Sequence, residues 1–182
     1  MEEAHQRERK LKNKGIKNIV LTGFMGSGKS SVGKALAKLS GYRFVDTDDI
    51  IEKKTGKSIS EIFREEGEKK FREIESEIIS EVCRKNGQIV STGGGAVISG
   101  DNMKKMKGAG PLVALVAPPD EIFERVKNER HRPLLNLENP REEIAKLLKK
   151  RLPYYLQADL VVDTEGKHPG DIAKEILKLA GL

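Results

Sequence analysis

The chain has no tryptophan, a single cysteine and aromatic residues at only 4%. It also lacks any long hydrophobic run, and each shortage excludes something. One cysteine, Cys83, cannot form an intramolecular disulfide, and its place in a helical pattern reads as a packed thiol rather than a reactive one. The longest apolar stretches, such as Leu112–Ala117, fall far short of the roughly 18 residues a membrane span needs. The N-terminus has no apolar core of the signal-peptide kind. The expectation is a cytoplasmic protein with no membrane partner. So few aromatics leave few platforms on which bases could stack, and no nucleic-acid partner is expected despite a net charge of +6. Half of that excess lies in residues 1–17, where six basic residues meet three acidic ones. The remaining lysines alternate with glutamates, as in Glu65–Glu66–Gly67–Glu68–Lys69–Lys70, the pattern of solvated helix faces.

What is present is enough for one domain with a real core: 182 residues, 37% of them hydrophobic. Residues 1–15 read as a polar leader, expected to be poorly ordered. Beyond it, five short apolar segments, Asn18–Thr22, Arg43–Val45, Gln88–Ser91, Leu112–Val116 and Leu160–Val162, alternate with helical patterns at 29–39, 59–84, 120–127, 141–151 and 171–180. Several of the apolar segments run on successive residues, as parallel strands covered on both faces do. The fold expected is α/β, an open and mostly parallel sheet whose ligands bind outside the carboxyl ends of its strands. No exposed heptad or strand edge argues for a dimer, so a monomer is expected.

The first strand runs into Gly23-Phe-Met-Gly-Ser-Gly28-Lys29-Ser30, which satisfies the phosphate-binding P-loop pattern G-x-x-x-x-G-K-[ST] in its required strand–helix setting. Glycines let backbone N–H groups converge on phosphate oxygens, and the helix N-terminus adds partial positive charge. Lys29 is placed to neutralise the outer phosphates, and the Ser30 hydroxyl can hold Mg²⁺. The reading is a nucleoside triphosphate site. No Asn-Lys-x-Asp tetrapeptide for guanine occurs.

The second substrate is read from charges in apolar places. Phe71, Ile74, Ile78 and Val82 form a stripe at steps of 3, 4 and 4, and Glu75 projects into it one turn after Arg72. A lone carboxylate there needs a cation. Either the two form a structural ion pair, or Glu75 holds the Arg72 guanidinium rigid to accept a ligand carboxylate. Arg151 similarly falls on the inner face marked by Ile144, Leu147 and Leu148, just before Pro153, which is expected to end that helix. It either snorkels or faces an anion. Asp46-Thr47-Asp48 follows the second strand, where an extended backbone would point both carboxylates the same way, with Asp49 as the cap of the next helix. One aspartate could hold Mg²⁺ through water and the other contact the hydroxyl to be phosphorylated. Gly93-Gly94-Gly95 marks a further close approach of backbone. Together these describe a small hydroxy acid as acceptor.

At this point the residues resemble the shikimate kinase family over 16–182, through GFMGSGKSS (23–31), DTD (46–48), FREIE (71–75), GGG (93–95), RPLL (132–135) and KRLPYY (150–155) in order. The resemblance implies a three-layer P-loop kinase fold, a five-stranded parallel sheet flanked by helices with a mobile lid at about 128–140. It implies ATP-dependent phosphorylation of the 3-hydroxyl of shikimate, on the route to chorismate and the aromatic amino acids. Matched residue by residue, Asp48, Arg72, Gly94 and Arg151 would contact shikimate, flanked by Gly93 and Gly95. Gly26, Ser27, Gly28, Lys29, Ser30 and Ser31 would bind ATP, and Ser30, with Asp46 through water, the magnesium ion. Arg132 would be the lid arginine, Arg125 the adenine-stacking arginine, and Lys167 a neighbour of the adenine. Lys29, Asp48 and Arg132 are the expected catalytic residues. A related kinase of another hydroxy acid such as gluconate, or a non-catalytic ATP-binding module, remains the alternative.

Overall fold

The computed structural model describes residues 15–128 and 138–180. Its centre is β1 (Asn18–Gly23), buried along its whole length. Around it lie β2 (Arg43–Asp46), β3 (Gln88–Ser91), β4 (Leu112–Val116) and β5 (Leu160–Asp163), in the spatial order β2-β3-β1-β4-β5. Every adjacent pair is parallel, with Ile19 beside Ile89 and Leu21 beside Val113 in register.

Both faces of the sheet are covered, which explains the unbroken apolar runs. Successive residues of β1 point to opposite sides: Ile19 and Leu21 join one apolar cluster, Val20 the other. On the first face pack α1 (Lys29–Ser40) through Val32 and Leu36, and α7 (Pro169–Leu179) through Ile172 and Ile176. On the second lie α2 (Thr47–Thr55), α3 (Ile59–Cys83), α4 (Gly100–Ala109), α5 (Pro119–Val126) and α6 (Pro140–Tyr155). Burying each Ile, Leu or Val in these layers contributes on the order of 1.5–3 kcal/mol. Among the described residues no helix is long and apolar enough to cross a membrane.

The five strands agree with the sequence reading to within a residue at each end. The helices differ in instructive ways. One of them, α4, was not expected, and α2 was expected only as a helix capped by Asp49, with no helical stretch of its own. The α2 segment has a single adjacent apolar pair, Ile50–Ile51, and α4 offers only Met103, Met106 and Ala109 amid glycine and lysine. Neither makes a clear helical stripe. The pattern at 59–84 reads as one helix, but Gly67 takes φ 82° and ψ 167° and breaks it into two consecutive pieces. The first piece opens on a capping box, Ser58 with Glu61. Pro153 does not end α6: it sits in the last turn, and the helix runs on to Tyr155, with the Leu156 N–H bonding Leu152 O at 3.0 Å. A proline removes one donor, a loss that a final turn tolerates better than a helix centre. Cys83 is half-buried, and burial pushes its thiol up to about 11, so it is the packed thiol expected.

Candidate active site

The carboxyl ends of the strands deliver five loops to one edge of the sheet. The first is the phosphate loop between β1 and α1. Gly28 caps α1 in a left-handed conformation that puts the helix N-terminus behind the loop. The Lys29 ammonium folds back over it and donates to the carbonyls of Gly23 at 2.8 Å and Phe24 at 2.9 Å. That places Lys29 across the bowl where phosphate oxygens would sit. A cavity of about 450 Å³ opens here, lined by Gly26, Ser27, Gly28, Lys29, Ser30 and Ser31. It reaches Asp46 at the end of β2 and Asp48 beyond it at one side, and Lys167 after β5 at the other.

Asp46 and Asp48 do meet in this cavity, though not by the route expected. Thr47 already begins α2, so the two are not on extended backbone, and the cap of that helix is Asp46 rather than Asp49. The Asp46 Oδ1 accepts from the Asp48 N–H at 3.1 Å, satisfying one free donor of the first turn. Its Oδ2 accepts from the Ser30 hydroxyl at 3.3 Å, joining the second strand to the phosphate loop. Asp48 is thereby turned inward. Burial, then the negative charge of Asp46 and Glu75, pushes its carboxyl up to about 6, against a weaker opposing pull from Lys29.

Beside Asp48 lies the glycine wall that follows β3. None of Gly93, Gly94 or Gly95 takes a left-handed φ, so these glycines supply room rather than conformational freedom. A Cβ on Gly93 would stand 2.5 Å from Glu75 Oε1 and 3.1 Å from Asp48 Oδ1. One on Gly95 would meet the Arg72 guanidinium at 2.5 Å. Glu75, with no exposed surface, accepts from Arg72 Nη1 at 2.8 Å. Burial holds its carboxyl above the usual range even though Arg72 and Arg151 both pull it down. Arg72 uses its other edge, Nε at 3.4 Å and Nη2 at 3.1 Å, on the exposed Glu68. A second cavity of about 580 Å³ opens on Arg72, Glu75 and Gly95. Arg151 comes from α6 with its guanidinium 5.7 Å from the centre of the Phe24 ring, within cation–π range. It is inward-facing, not snorkelling.

At the opposite end, Arg125 on α5 donates to the Gly26 carbonyl at 3.2 Å, to Glu121 at 2.9 Å and to both oxygens of Thr164. It ties the phosphate loop to the loop after β5. Lys167 pairs with Glu175 at 3.0 Å and still lines the cavity. Arg132 and most of the expected lid, 128–140, lie outside the described residues, as does nearly all of the 1–15 leader.

A family model for shikimate kinase matches residues 25–180. The chain belongs to the shikimate kinase family. A shikimate kinase of Thermodesulfovibrio yellowstonii is 52% identical over 163 residues, covering 90% of this chain and 94% of that one. The solved shikimate kinase of Acinetobacter baumannii, in complex with shikimate, superposes with a TM-score of 0.89 at 37% identity, covering 94% of this chain and 96% of its own. A gluconokinase from Sinorhizobium meliloti reaches a TM-score of 0.54 at 21% identity over 91% of each chain, a likeness of fold alone. The alternative of a gluconate kinase thus shares the architecture, while the family match, at this identity over this much of the chain, is to shikimate kinase. Membership in a kinase family also removes the non-catalytic ATP-binding module, since shikimate kinases are phosphotransferases that take ATP as donor.

Two contributors to the site were not anticipated. Thr164 holds Arg125 from the end of β5, and nothing in the local sequence distinguishes it. Tyr155 continues the α6 stripe Ile144–Leu148–Arg151 by one more step of four. That signal was available, but ending the helix at Pro153 hid it.

Proposed function

We propose that this cleft transfers the terminal phosphoryl group of ATP to the 3-hydroxyl of shikimate, with the residues in the following roles. Gly26 to Ser31 cradle the phosphates with backbone N–H groups, and Lys29 leaves its two loop carbonyls to lie against the outer phosphate oxygens. Ser30 and, through water, Asp46 would hold Mg²⁺. The hard oxygen donors at the mouth of the phosphate loop suit that ion, and the described residues include no cluster of three or more His, Cys, Asp or Glu able to hold a metal by themselves. When bound, Mg²⁺ supplies positive charge that offsets the phosphate oxygens. Arg125 and Lys167 flank the nucleotide's base, and Arg132, outside the described residues, compensates charge on the transferring group.

The acceptor's carboxylate goes to Arg72 and Arg151 and its hydroxyl to Asp48, with the flat of its ring against Gly93–Gly95. The observation that carries this reading is a set of unmet hydrogen-bonding atoms. Asp48 Oδ1, Glu75 Oε1 and Arg151 Nε are buried without a hydrogen-bond partner in the described structure. Each such atom costs about 1–3 kcal/mol unless something polar fills the gap. Two of them face Gly93. A ligand with a hydroxyl and a carboxylate fits this polar set. With a loose transition state, Asp48 acts chiefly by orienting the attacking oxygen in line, and it takes up the proton as the new bond forms.

The test is ADP release by the purified chain with ATP, Mg²⁺ and a panel of hydroxy acids. Shikimate should give turnover at least about a hundredfold above gluconate or quinate at equal concentration. Equal turnover across the panel would overturn the acceptor assignment.

A further inference from the structure

Tyr155 has no part in the reaction as described, yet it is among the largest fully buried side chains of the chain. It stands one turn beyond Arg151 on the inner face of α6. Its hydroxyl donates to the carbonyl of Gly94, the central residue of the glycine wall, at 2.7 Å. The guanidiniums of Arg151 and Arg72 both lie near enough to that hydroxyl to favour its ionisation, but burial dominates and pushes it up to about 12. The phenol therefore keeps its proton, and the proton is committed to Gly94. Its lone pairs are left for the neighbouring Arg151 guanidinium, with Arg72 acting on it through charge alone.

This arrangement answers a problem the acceptor site poses. Two guanidiniums that are to share one carboxylate repel each other until it arrives. Glu75 offsets one of the two positive charges, and it hydrogen-bonds Arg72. A second carboxylate beside Arg151 would cancel the charge the acceptor is meant to meet. A neutral hydroxyl can orient Arg151 without cancelling anything. The same hydroxyl pins the wall opposite: the position a Gly94 Cβ would take is 3.5 Å from the Tyr155 Oη and 3.0 Å from the Gly23 carbonyl, so the wall has nowhere else to settle.

We propose that Tyr155 is a positioning residue for the acceptor, whose hydroxyl fixes the separation between the Gly94 wall and the Arg151 guanidinium and so sets the width of the slot that receives the ring and carboxylate. The proposal rests on the reading of Arg151 as a carboxylate contact. A packing role alone would be served equally well by phenylalanine, since the ring fills the same space.

Tyr155→Phe removes one oxygen and no volume, so the fold should survive with a lowered melting temperature. Calorimetry with shikimate alone should then show a Kd raised by about tenfold, and steady-state kinetics a matching rise in shikimate KM, with ATP KM and kcat at saturation within about twofold of wild type. In a double-mutant cycle, Tyr155→Phe should add little to the loss of shikimate affinity already caused by Arg151→Lys, because both act through one guanidinium. A lowered melting temperature with unchanged shikimate Kd in Tyr155→Phe, while Arg151→Lys is impaired, overturns the positioning role alone. An unchanged Kd in Arg151→Lys overturns the carboxylate reading beneath it. Full additivity of the two variants would assign them separate effects and also overturn the proposal.

Discussion

Arg72 donates from Nη1 at 2.8 Å to Glu75, a carboxylate that solvent does not reach. A buried ion pair of this kind contributes little net stability, because desolvation offsets most of the attraction. Its value lies in fixing the guanidinium plane. Lysine at 72 would keep the charge and lose the planar fork. Arg72→Lys should therefore raise the shikimate Kd by about ten- to a hundredfold, a loss of roughly 1.5–3 kcal/mol, with ATP affinity unchanged. Isothermal calorimetry with each ligand alone decides it. Parallel losses for both ligands would point to a folding defect instead.

Glu68 holds the opposite edge of the same guanidinium, and it does so from an exposed position. It thus occupies donors that an incoming carboxylate can use. An exposed pair is worth about 0.2–1 kcal/mol, so freeing Arg72 from it should be worth up to about fivefold in affinity. Glu68→Gln is expected to lower the shikimate KM by about two- to fivefold without shifting the melting temperature by more than a degree or two. A raised KM would mean that Glu68 aligns the fork rather than competing for it.

Asp48 carries a carboxyl pushed from an ordinary value of 3.8 to about 6. Because the folded value lies above the unfolded one, folding disfavours the ionised form. The penalty is fully present above about pH 6 and disappears as pH falls through the folded value toward 3.8. Its ceiling is about 3 kcal/mol. Asp48→Asn should accordingly melt several degrees higher than wild type at pH 7.5, with the gap closing by about pH 4, and lose turnover by at least about a hundredfold. Differential scanning calorimetry of the unliganded proteins across pH gives the first half and an ADP-release assay the second. A variant less stable than wild type at pH 7.5 would show that the carboxylate is held by partners rather than strained by burial.

Lys29 lies over the phosphate loop with its ammonium on two backbone carbonyls. Lys29→Ala should leave the far-ultraviolet circular dichroism unchanged and reduce turnover by about 10²–10³ or more, the usual loss when a preorganised positive group is removed from a developing charge. Turnover within tenfold of wild type, in a folded variant, would remove Lys29 from the reaction.

The strands were legible because each has a core of two or more consecutive apolar residues, and the phosphate loop because its chemistry is confined to eight consecutive positions. The inward placement of Glu75 and Arg151 could be read from stripes of buried residues at steps of three and four. What could not be read depended on contacts across the chain. Asp46 caps α2 because that helix starts one residue after β2, and α2 has no periodicity to announce it. Gly67 breaks α3 while the apolar spacing on either side continues as though the helix were whole. Pro153 looked like a terminator and hid Tyr155, since whether a proline ends a helix depends on how close the end already is.

Phe24 belongs to both halves of the cleft. Its carbonyl takes a hydrogen bond from Lys29, its ring lies beneath the Arg151 guanidinium, and its backbone packs against the glycine wall at Gly94. On the roles proposed above, phosphates that draw Lys29 away cost the backbone at Phe24 a partner while its ring still supports Arg151. In those roles the two substrates meet at one residue, the phosphate side on its backbone carbonyl and the acceptor side on its ring, and any coupling there is reciprocal: whatever factor ATP applies to shikimate affinity, shikimate must apply to ATP. If Phe24 carries that coupling, Phe24→Leu should weaken the mutual factor more than either affinity measured alone, as calorimetry with each ligand in the absence and presence of the other would show.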